Sequence, residues 1–316
     1  MPCFHPLKGY VSGKTGALTF KPREALKSAD GSHLVHLTVN CRKCVGCLTR
    51  RAREYSLRAS HEARLHKNNL FVTLTYDDKN LPDNKGLKRS HIQDFVKVLR
   101  ERIRREYNHT GIRILYCGEY GTRGTKRPHY HIILFNMPVD FDLRCKINFS
   151  HNKRKEYTSK IIYESWNKRG IVNIQKANSA TCAYVAQYVT KKLQSLDKDV
   201  VFGRESEFIQ GSTRPALGFK WLFEASNGWN VFRMFESARV PLYRDDGKID
   251  YVYPPRYYVD KFCEIFDNFK SVFKKRLYES VRPFIEVDNY EDKLYTYEYV
   301  MLDRVSKKLV RRNLCL

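Results

Sequence analysis

The sequence has no apolar run near the ~20 residues that a membrane-spanning helix needs, and no internal repeat or low-complexity tract. Residues 1–5 show no charged segment followed by an apolar stretch, so we predict no signal peptide. No G-x-x-x-x-G-K-[ST] loop for a nucleoside triphosphate occurs. We therefore expect a soluble protein that stays in the cytoplasm where it is made and that does not hydrolyse a nucleoside triphosphate through such a loop.

Acidic residues are scarce, since 34 Asp and Glu stand against 58 Lys and Arg and leave a formal net charge of +24. Such a charge favours a polyanionic partner, nucleic acid above all, because neutralised phosphates release counterions. A ribosomal-type or membrane-surface protein is the less favoured alternative. The hydrophobic content of 42% excludes a disordered basic tail, and 316 residues suit about two domains.

The nine cysteines are an odd number, and three of them form the cluster Cys41-Arg-Lys-Cys44-Val-Gly-Cys47. In a basic cytoplasmic protein this pattern indicates a metal site and free thiols rather than a disulfide framework. Thiolates at C-x-x-C spacing bind Zn²⁺ well, and four ligands are expected. An iron–sulfur cluster and three free thiols are the alternatives. Cys3 is the preferred fourth ligand, and its rivals are His5, His33 and His36.

Hydrophobic periodicity gives an order of elements along the chain. It predicts helices over 48–67, from 90 onward, over 157–168 and over 177–193, and strands over 70–76, 112–117, 129–135 and 171–175. From residue 70 the first six elements follow the split βαβ, or ferredoxin-like, order. We therefore predict an α+β fold with a ferredoxin-like antiparallel sheet. Its parts are a cysteine-rich segment over 1–69, a core over 70–195 and a C-terminal extension over 196–316.

The predicted strand over 129–135 begins with His129-Tyr130-His131. Residues two apart in a strand face the same side, so both imidazoles would reach one ion. Alone, such a pair is more often two ordinary histidines. Glu119 ends the preceding strand and would lie alongside across the hairpin, although it can also be a solvated hairpin residue. Two histidines and a carboxylate leave open positions for Mn²⁺ or Mg²⁺ and a phosphate oxygen.

Two tyrosines, Tyr184 and Tyr188, are four residues apart on the last predicted helix and so share one face. Lys191 and Lys192 follow one turn later. A phenol with a pKa of about 10 attacks phosphorus poorly, and a nearby ammonium would favour the phenolate. On this motif alone, two core tyrosines on a basic helix are an equal alternative.

Together these features resemble the HUH endonucleases, named for their His-hydrophobic-His motif, and most closely the gokushovirus-type replication initiators of the Microviridae. The resemblance spans most of the chain. Its specific part is the order and spacing of the histidine and two-tyrosine motifs. The similar segments are residues 1–6, 41–47, 71–76, 117–121, 127–131 and 184–191, with weaker similarity at 214–218 and 255–258.

The resemblance implies a metal-dependent DNA endonuclease with strand-transfer activity. His129, His131 and Glu119 would hold Mg²⁺ or Mn²⁺, while Tyr184 or Tyr188 attacks the scissile phosphate. The resulting 5′-phosphotyrosine link frees a 3′-OH for rolling-circle replication from the origin of a single-stranded DNA phage. The partners would be single-stranded DNA and a host helicase and polymerase, in the host bacterial cytoplasm.

The residues themselves add two expectations. Cys3, Cys41, Cys44 and Cys47 would hold a structural zinc. Residues 196–316, which are rich in aromatic and basic residues but show no assignable motif, would add DNA contacts or shape rather than a second active site. Gln187 stands where family members can carry Lys. Lys191 and Lys192 would therefore assist Tyr188 more than Tyr184, and Tyr188 is expected to matter more for the first cut.

Two further functions remain open. One is related chemistry in a plasmid initiator or single-strand transposase, against which the cysteine cluster and the paired tyrosines argue. The other is a non-enzymatic, zinc-containing single-stranded DNA-binding protein in which the histidine pair is incidental. A covalent DNA adduct that survives a denaturing gel discriminates between the enzyme and the binding protein.

Overall fold

A computed structural model describes residues 3–12, 18–20, 34–121, 127–148, 154–195, 203–224, 239–266 and 289–314, with Ser237 and a few residues between 271 and 279. The strands are β1 (Leu7–Ser12), β2 (Leu18–Thr19), β3 (Leu34–Val39), β4 (Leu70–Thr75), β5 (Arg113–Tyr120), β6 (Pro128–Phe135), β7 (Arg144–Asn148), β8 (Arg154–Thr158), β9 (Val172–Lys176), β10 (Phe208–Gly211), β11 (Val240–Tyr243) and β12 (Ile249–Val252). The helices are α1 (Val45–Arg64), α2 (Arg89–Tyr107), α3 (Lys160–Ser165), α4 (Ser179–Ser195), α5 (Phe219–Glu224), α6 (Arg256–Cys263) and α7 (Tyr290–Leu314).

The main sheet has seven strands in the order β10-β5-β6-β4-β9-β8-β7. Its central strands β5, β6, β4 and β9 pair antiparallel, in the spatial order that the split βαβ chain order produces. The predicted α+β fold with a ferredoxin-like antiparallel sheet is therefore confirmed. A separate three-stranded sheet, β2-β1-β3, precedes α1.

Several predicted elements differ from the structure. The helix predicted over 157–168 covers only Lys160–Ser165, because the Ser159 side chain caps it by accepting a hydrogen bond from the backbone N–H of Ile162. The residues before Ser159 form β8, and the hairpin that β8 makes with β7 was not predicted. The helix predicted to open at Ser90 begins at Arg89, and no side chain caps it. Strands β1 to β3 were also missed.

Each face of the main sheet is covered by two helices. Alternate strand residues such as Val72 and Ile132 pack with Phe95 of α2 and Trp166, which follows α3. The strand residues between them, whose side chains point to the other side of the sheet, pack with α1 and α4. Phe71 is one of them. We call this second side the α1/α4 face. The period of two along the strands divides the apolar residues between the two layers.

Residues beyond 195 pack against the same body. Strand β10 pairs antiparallel with β5. Glu62 of α1 is fully buried, and its carboxylate lies 2.6 Å from the Arg113 Nε and accepts a hydrogen bond of 2.7 Å from the Gly218 N–H. The hydrogen bond from Gly218 thus ties the segment beyond residue 195 to the buried carboxylate that α1 shares with Arg113 of β5. Within the part of the chain that is described, no helix is long and apolar enough to cross a bilayer.

Gly218 has a positive φ of 78°, and a Cβ there would collide with the hydroxyl of Tyr258. That hydroxyl also lies 3.0 Å from the Nδ1 of His61, which is itself buried in α1. The two weakly similar segments, 214–218 and 255–258, therefore meet at α1. Their role in the structure is to join α1 to the C-terminal residues.

Candidate active site

The side chains of Glu119, His129 and His131 meet on the α1/α4 face. Glu119 pairs with His129 across the hairpin of β5 and β6. One carboxylate oxygen of Glu119, Oε1, lies 2.8 Å from the Nε2 of His129 and 2.8 Å from the Nε2 of His131. All three ligand atoms lie within 4.8 Å of one another. The structure thus brings together the three residues that the sequence analysis selected.

The opposite edges of the two imidazoles are fixed by hydrogen bonds. The Nδ1 of His129 lies 2.9 Å from the carbonyl oxygen of Arg127, and the Nδ1 of His131 lies 3.0 Å from the Thr73 hydroxyl. A carbonyl only accepts, so the Nδ1 of His129 must carry the proton. In the neutral ring its Nε2 then has a lone pair directed at a carboxylate oxygen. Two acceptors 2.8 Å apart are stabilised by a positive charge between them, either a proton on the imidazole or a metal ion, and this donor set fits a divalent metal ion.

Glu119 is only 2% exposed, yet its charged form is favoured. Burial alone raises the pKa of its carboxyl, but the hydrogen bonds with His129 and His131 outweigh burial, and the pKa lies well below its usual value. A buried carboxylate beside two imidazoles is a hard oxygen ligand next to two nitrogen ligands. That set suits Mn²⁺ or Mg²⁺ with positions left open for an oxygen of the substrate.

Both tyrosines of α4 contact this triad. The ring of Tyr188 stacks on His131 with centroids 5.4 Å apart, and Phe71 also stacks on this imidazole at 5.7 Å. Tyr184 stands edge-on to His131 at 5.2 Å and to Tyr188 at 5.1 Å. The three rings of His131, Tyr184 and Tyr188 thus contact one another, and both phenols lie next to the same imidazole within one turn of helix.

The two tyrosines differ in exposure. Tyr188 is 4% exposed, whereas Tyr184 is half-buried. Burial, and next the charge of Glu119, raise the pKa of Tyr188 well above its usual value. Lys191 and Lys192 lie in α4, but their side chains are outside the described residues. The phenolate assistance expected from these lysines therefore stays a prediction.

The four cysteines Cys3, Cys41, Cys44 and Cys47 also meet, with all Sγ atoms within 4.8 Å of one another. The Sγ atoms of Cys3 and Cys44 are 4.0 Å apart, and all four cysteines are free thiols. Backbone N–H groups point at the sulfurs, since Cys41 donates to Cys3 at 3.2 Å and Cys44 to Cys41 at 3.3 Å. Such donors stabilise thiolates, and the set fits a tetrahedral ion.

Of the rival ligands, His5 does not take the place of Cys3. The imidazole of His5 instead lies 2.9 Å from a carboxylate oxygen of Glu298 in α7. His33 and the side chain of His36 lie outside the described residues. Burial raises the pKa of Cys47, whereas the pKa of Cys41 falls to about 7, because backbone and thiol hydrogen bonds there outweigh burial.

Two residues that orient the histidines were missed by the sequence analysis. Thr73 lies on β4, directly opposite His131. Arg127 supplies the carbonyl that fixes His129, and its guanidinium binds the carbonyl oxygen of Tyr76 at 2.8 Å and the carboxylate of Asp78. Strand parity could have placed Thr73, two residues beyond Phe71, on this face. Nothing in the sequence indicates the role of a backbone carbonyl.

Comparison with known proteins gives a consistent result. The family described as Replication-associated protein ORF2/G2P matches residues 69–193. The chain is 31% identical to Replication-associated protein ORF2 of Spiroplasma virus 4, over 98% of each chain. It is 30% identical to Replication-associated protein VP4 of Bdellovibrio phage phiMH2K, over 78% of this chain and 76% of that protein. No solved structure gives a significant match.

Proposed function

The chain belongs to the family of replication-associated proteins of small Microviridae phages, and from that premise we propose that it initiates replication by nicking single-stranded DNA at the phage origin. The observation that carries the proposal is the meeting of two tyrosines with the Glu119, His129 and His131 cluster. A metal-binding triad alone suits many hydrolases. Two phenols in contact with one imidazole of the cluster place a candidate tyrosine nucleophile next to the position of the metal.

In the proposed reaction, a phenol oxygen of Tyr184 or Tyr188 forms a bond to the scissile phosphorus, and the bond from phosphorus to the 3′ oxygen breaks. The leaving 3′ oxygen takes up a proton, and the phenol proton passes to solvent or to a basic group. A divalent cation held by Glu119, His129 and His131 supplies Lewis-acid polarisation of the phosphate. Thr73 and the Arg127 carbonyl keep the two imidazoles aimed at that position.

The link formed is a 5′-phosphotyrosine, and the free 3′-OH serves as the primer for a host polymerase. Unwinding falls to a host helicase, because the chain has no nucleotide-binding loop. After one round, the second tyrosine cuts the regenerated origin. The new 3′-OH then attacks the first phosphotyrosine and rejoins the strand, which releases that phenol. One nick and one ligation balance each round of rolling-circle replication in the host cell.

The remaining parts of the chain support this core in the proposal. Residues 196–316 add DNA contacts or shape, and the described part holds no second cluster of metal ligands beyond residue 195. Residues 1–69 contribute the cysteine site, which we assign to a structural zinc. Cys44 and Cys47 lie at the start of α1, so the ion would tie the N-terminal segment to a helix of the α1/α4 face.

Protein purified without chelator should contain about one zinc per chain by elemental analysis. Stripping the metal should lower the thermal unfolding midpoint and make four further thiols titratable, because the ion fixes Cys3, Cys41, Cys44 and Cys47. Cys145, an exposed free thiol, serves as the matched control, since Cys145→Ser should leave the zinc content unchanged. Metal-free protein with every thiol reactive would rule out the zinc site.

The proposed function is tested with labelled single-stranded oligonucleotides that tile the genome encoding this chain. With Mn²⁺, one oligonucleotide should form an adduct with the protein that survives a denaturing gel. A 3′-OH fragment should accumulate in equal amount, and EDTA should abolish both products. Intact DNA binding with no adduct under any divalent metal would instead support a non-enzymatic single-stranded DNA-binding protein.

A further inference from the structure

Two arginine-rich helices, α2 and α1, lie on opposite sides of the main sheet, and they differ in how many of their arginines form ion pairs. On α2, Arg102 pairs with Glu164 at 2.7 Å, and Arg104 and Arg105 pair with Glu101 at 2.8 and 3.1 Å. This helix faces away from the candidate site, because α2 covers the other side of the sheet. Its arginines are largely neutralised by the protein itself.

Helix α1 lies on the same face as the site and lacks such pairing. Within the described part of the chain, no ion pair involves Arg50, Arg51 or Arg53. Arg51 and Arg53 are exposed. Glu54 is the one acidic residue between positions 45 and 58. Its carboxylate accepts a hydrogen bond from the backbone N–H of Arg256 at the start of α6 and interacts with the charges of Arg50 and Arg58. Residues two apart in a helix do not share a face, so Arg53 points to the other flank of α1. We call the three side chains Arg50, Arg51 and Arg58 the α1 arginine face.

Aromatic rings connect this face with the site. The guanidinium carbon of Arg51 lies 5.7 Å from the ring centroid of Tyr55, and that of Arg58 lies 5.9 Å from it on the same helix. Arg58 also lies 4.5 Å from the ring centroid of Tyr257. Tyr55 packs against the hydrophobic cluster that contains Tyr188. Cationic groups and half-buried tyrosine rings thus alternate along α1, which shares a hydrophobic cluster with α4.

We propose that the α1 arginine face binds the phosphates of the single strand that is cleaved, and so leads it to the tyrosines. The inference rests on the proposed function and names the surface that holds its substrate. Guanidinium groups that form no close ion pair in the described residues complement the phosphate charge, and each contact releases counterions. Interleaved tyrosine rings suit a flexible single strand, whose bases stack on aromatic side chains. A duplex offers no unstacked bases to them.

The test measures binding of a fluorescent single-stranded oligonucleotide to the full chain in EDTA, over a series of salt concentrations. The variant Arg50→Gln/Arg51→Gln removes two charges from the α1 arginine face. The matched control Arg104→Gln/Arg105→Gln removes two exposed charges of the same kind from α2. A third protein, Arg50→Lys/Arg51→Lys, keeps the charge on α1.

The α1 glutamine variant should bind roughly tenfold more weakly near 0.1 M salt, and its slope of log K against log salt should fall by about 1.4, or about 0.7 per lost phosphate contact. The lysine variant and the α2 control should stay close to the native slope. Equal losses in the two glutamine variants, or no loss in either, would overturn the proposal. Because EDTA excludes cleavage, failure of adduct formation is a separate result that concerns the proposed function alone.

Discussion

Replacing Glu119 by Gln should abolish Mn²⁺-dependent adduct formation while leaving the protein folded. Gln keeps the size of the side chain and one carbonyl oxygen, but it removes the negative charge from the point where the Nε2 atoms of His129 and His131 converge. Loss of residues that only support a ligand already weakens metal binding about 10–100-fold, so loss of the carboxylate should cost at least about 100-fold. Calorimetric titration of Mn²⁺ measures this directly.

The control for this variant is Glu164→Gln, on the other side of the sheet. Glu164 is a partly buried carboxylate that pairs with Arg102, far from any metal-ligand group in the described residues. It should keep both Mn²⁺ affinity and adduct formation. Undiminished Mn²⁺ binding by the Glu119→Gln protein would mean that the ion is held elsewhere, and the assignment of the triad would then be wrong.

The triad could be predicted because its geometry is set by short-range rules. The strand period of two places His129 and His131 on one face whatever the rest of the chain does. A tight hairpin between β5 and β6 then pairs Glu119 with His129. The ferredoxin-like order was accessible for the same reason, since it follows from the sequence of locally recognisable elements.

What could not be predicted depends on contacts between distant segments. Thr73 meets His131 because β4 and β6 are neighbours, and strand neighbours 58 residues apart are not encoded in local periodicity. Cys3 joins a cluster that starts 38 residues later, where a histidine would have been equally compatible with the spacing. Strand β10 pairs with β5 through four residues in the C-terminal extension, where the sequence shows no recognisable strand pattern.

The double variant Tyr184→Phe/Tyr188→Phe should form no adduct at all. Phe removes each nucleophilic oxygen but keeps the ring, so the stack with Phe71 and His131 and the fold should survive. Tyr163→Phe, an exposed tyrosine on α3, is the matched control and should nick normally. Adduct that persists in the double variant would point to another nucleophile.

The single variants should be unequal, and burial favours the opposite order from the one that the lysines suggest. Lys191 and Lys192 led to the expectation that Tyr188 matters more for the first cut, but Tyr188 is 4% exposed, and burial and the charge of Glu119 raise its pKa. Tyr184 is half-buried and so more accessible to an incoming phosphate. We therefore expect Tyr184→Phe to slow the first cut by at least about tenfold, or about 1.4 kcal/mol, and Tyr188→Phe to slow it less.

Single-turnover nicking of a fresh oligonucleotide measures the first cut, and a preformed adduct mixed with a second oligonucleotide measures the second. Tyr188→Phe should impair mainly the second reaction, because the partly exposed phenol is then already occupied by DNA. A slower first cut in Tyr188→Phe than in Tyr184→Phe would show instead that the positive charge on α4 outweighs burial.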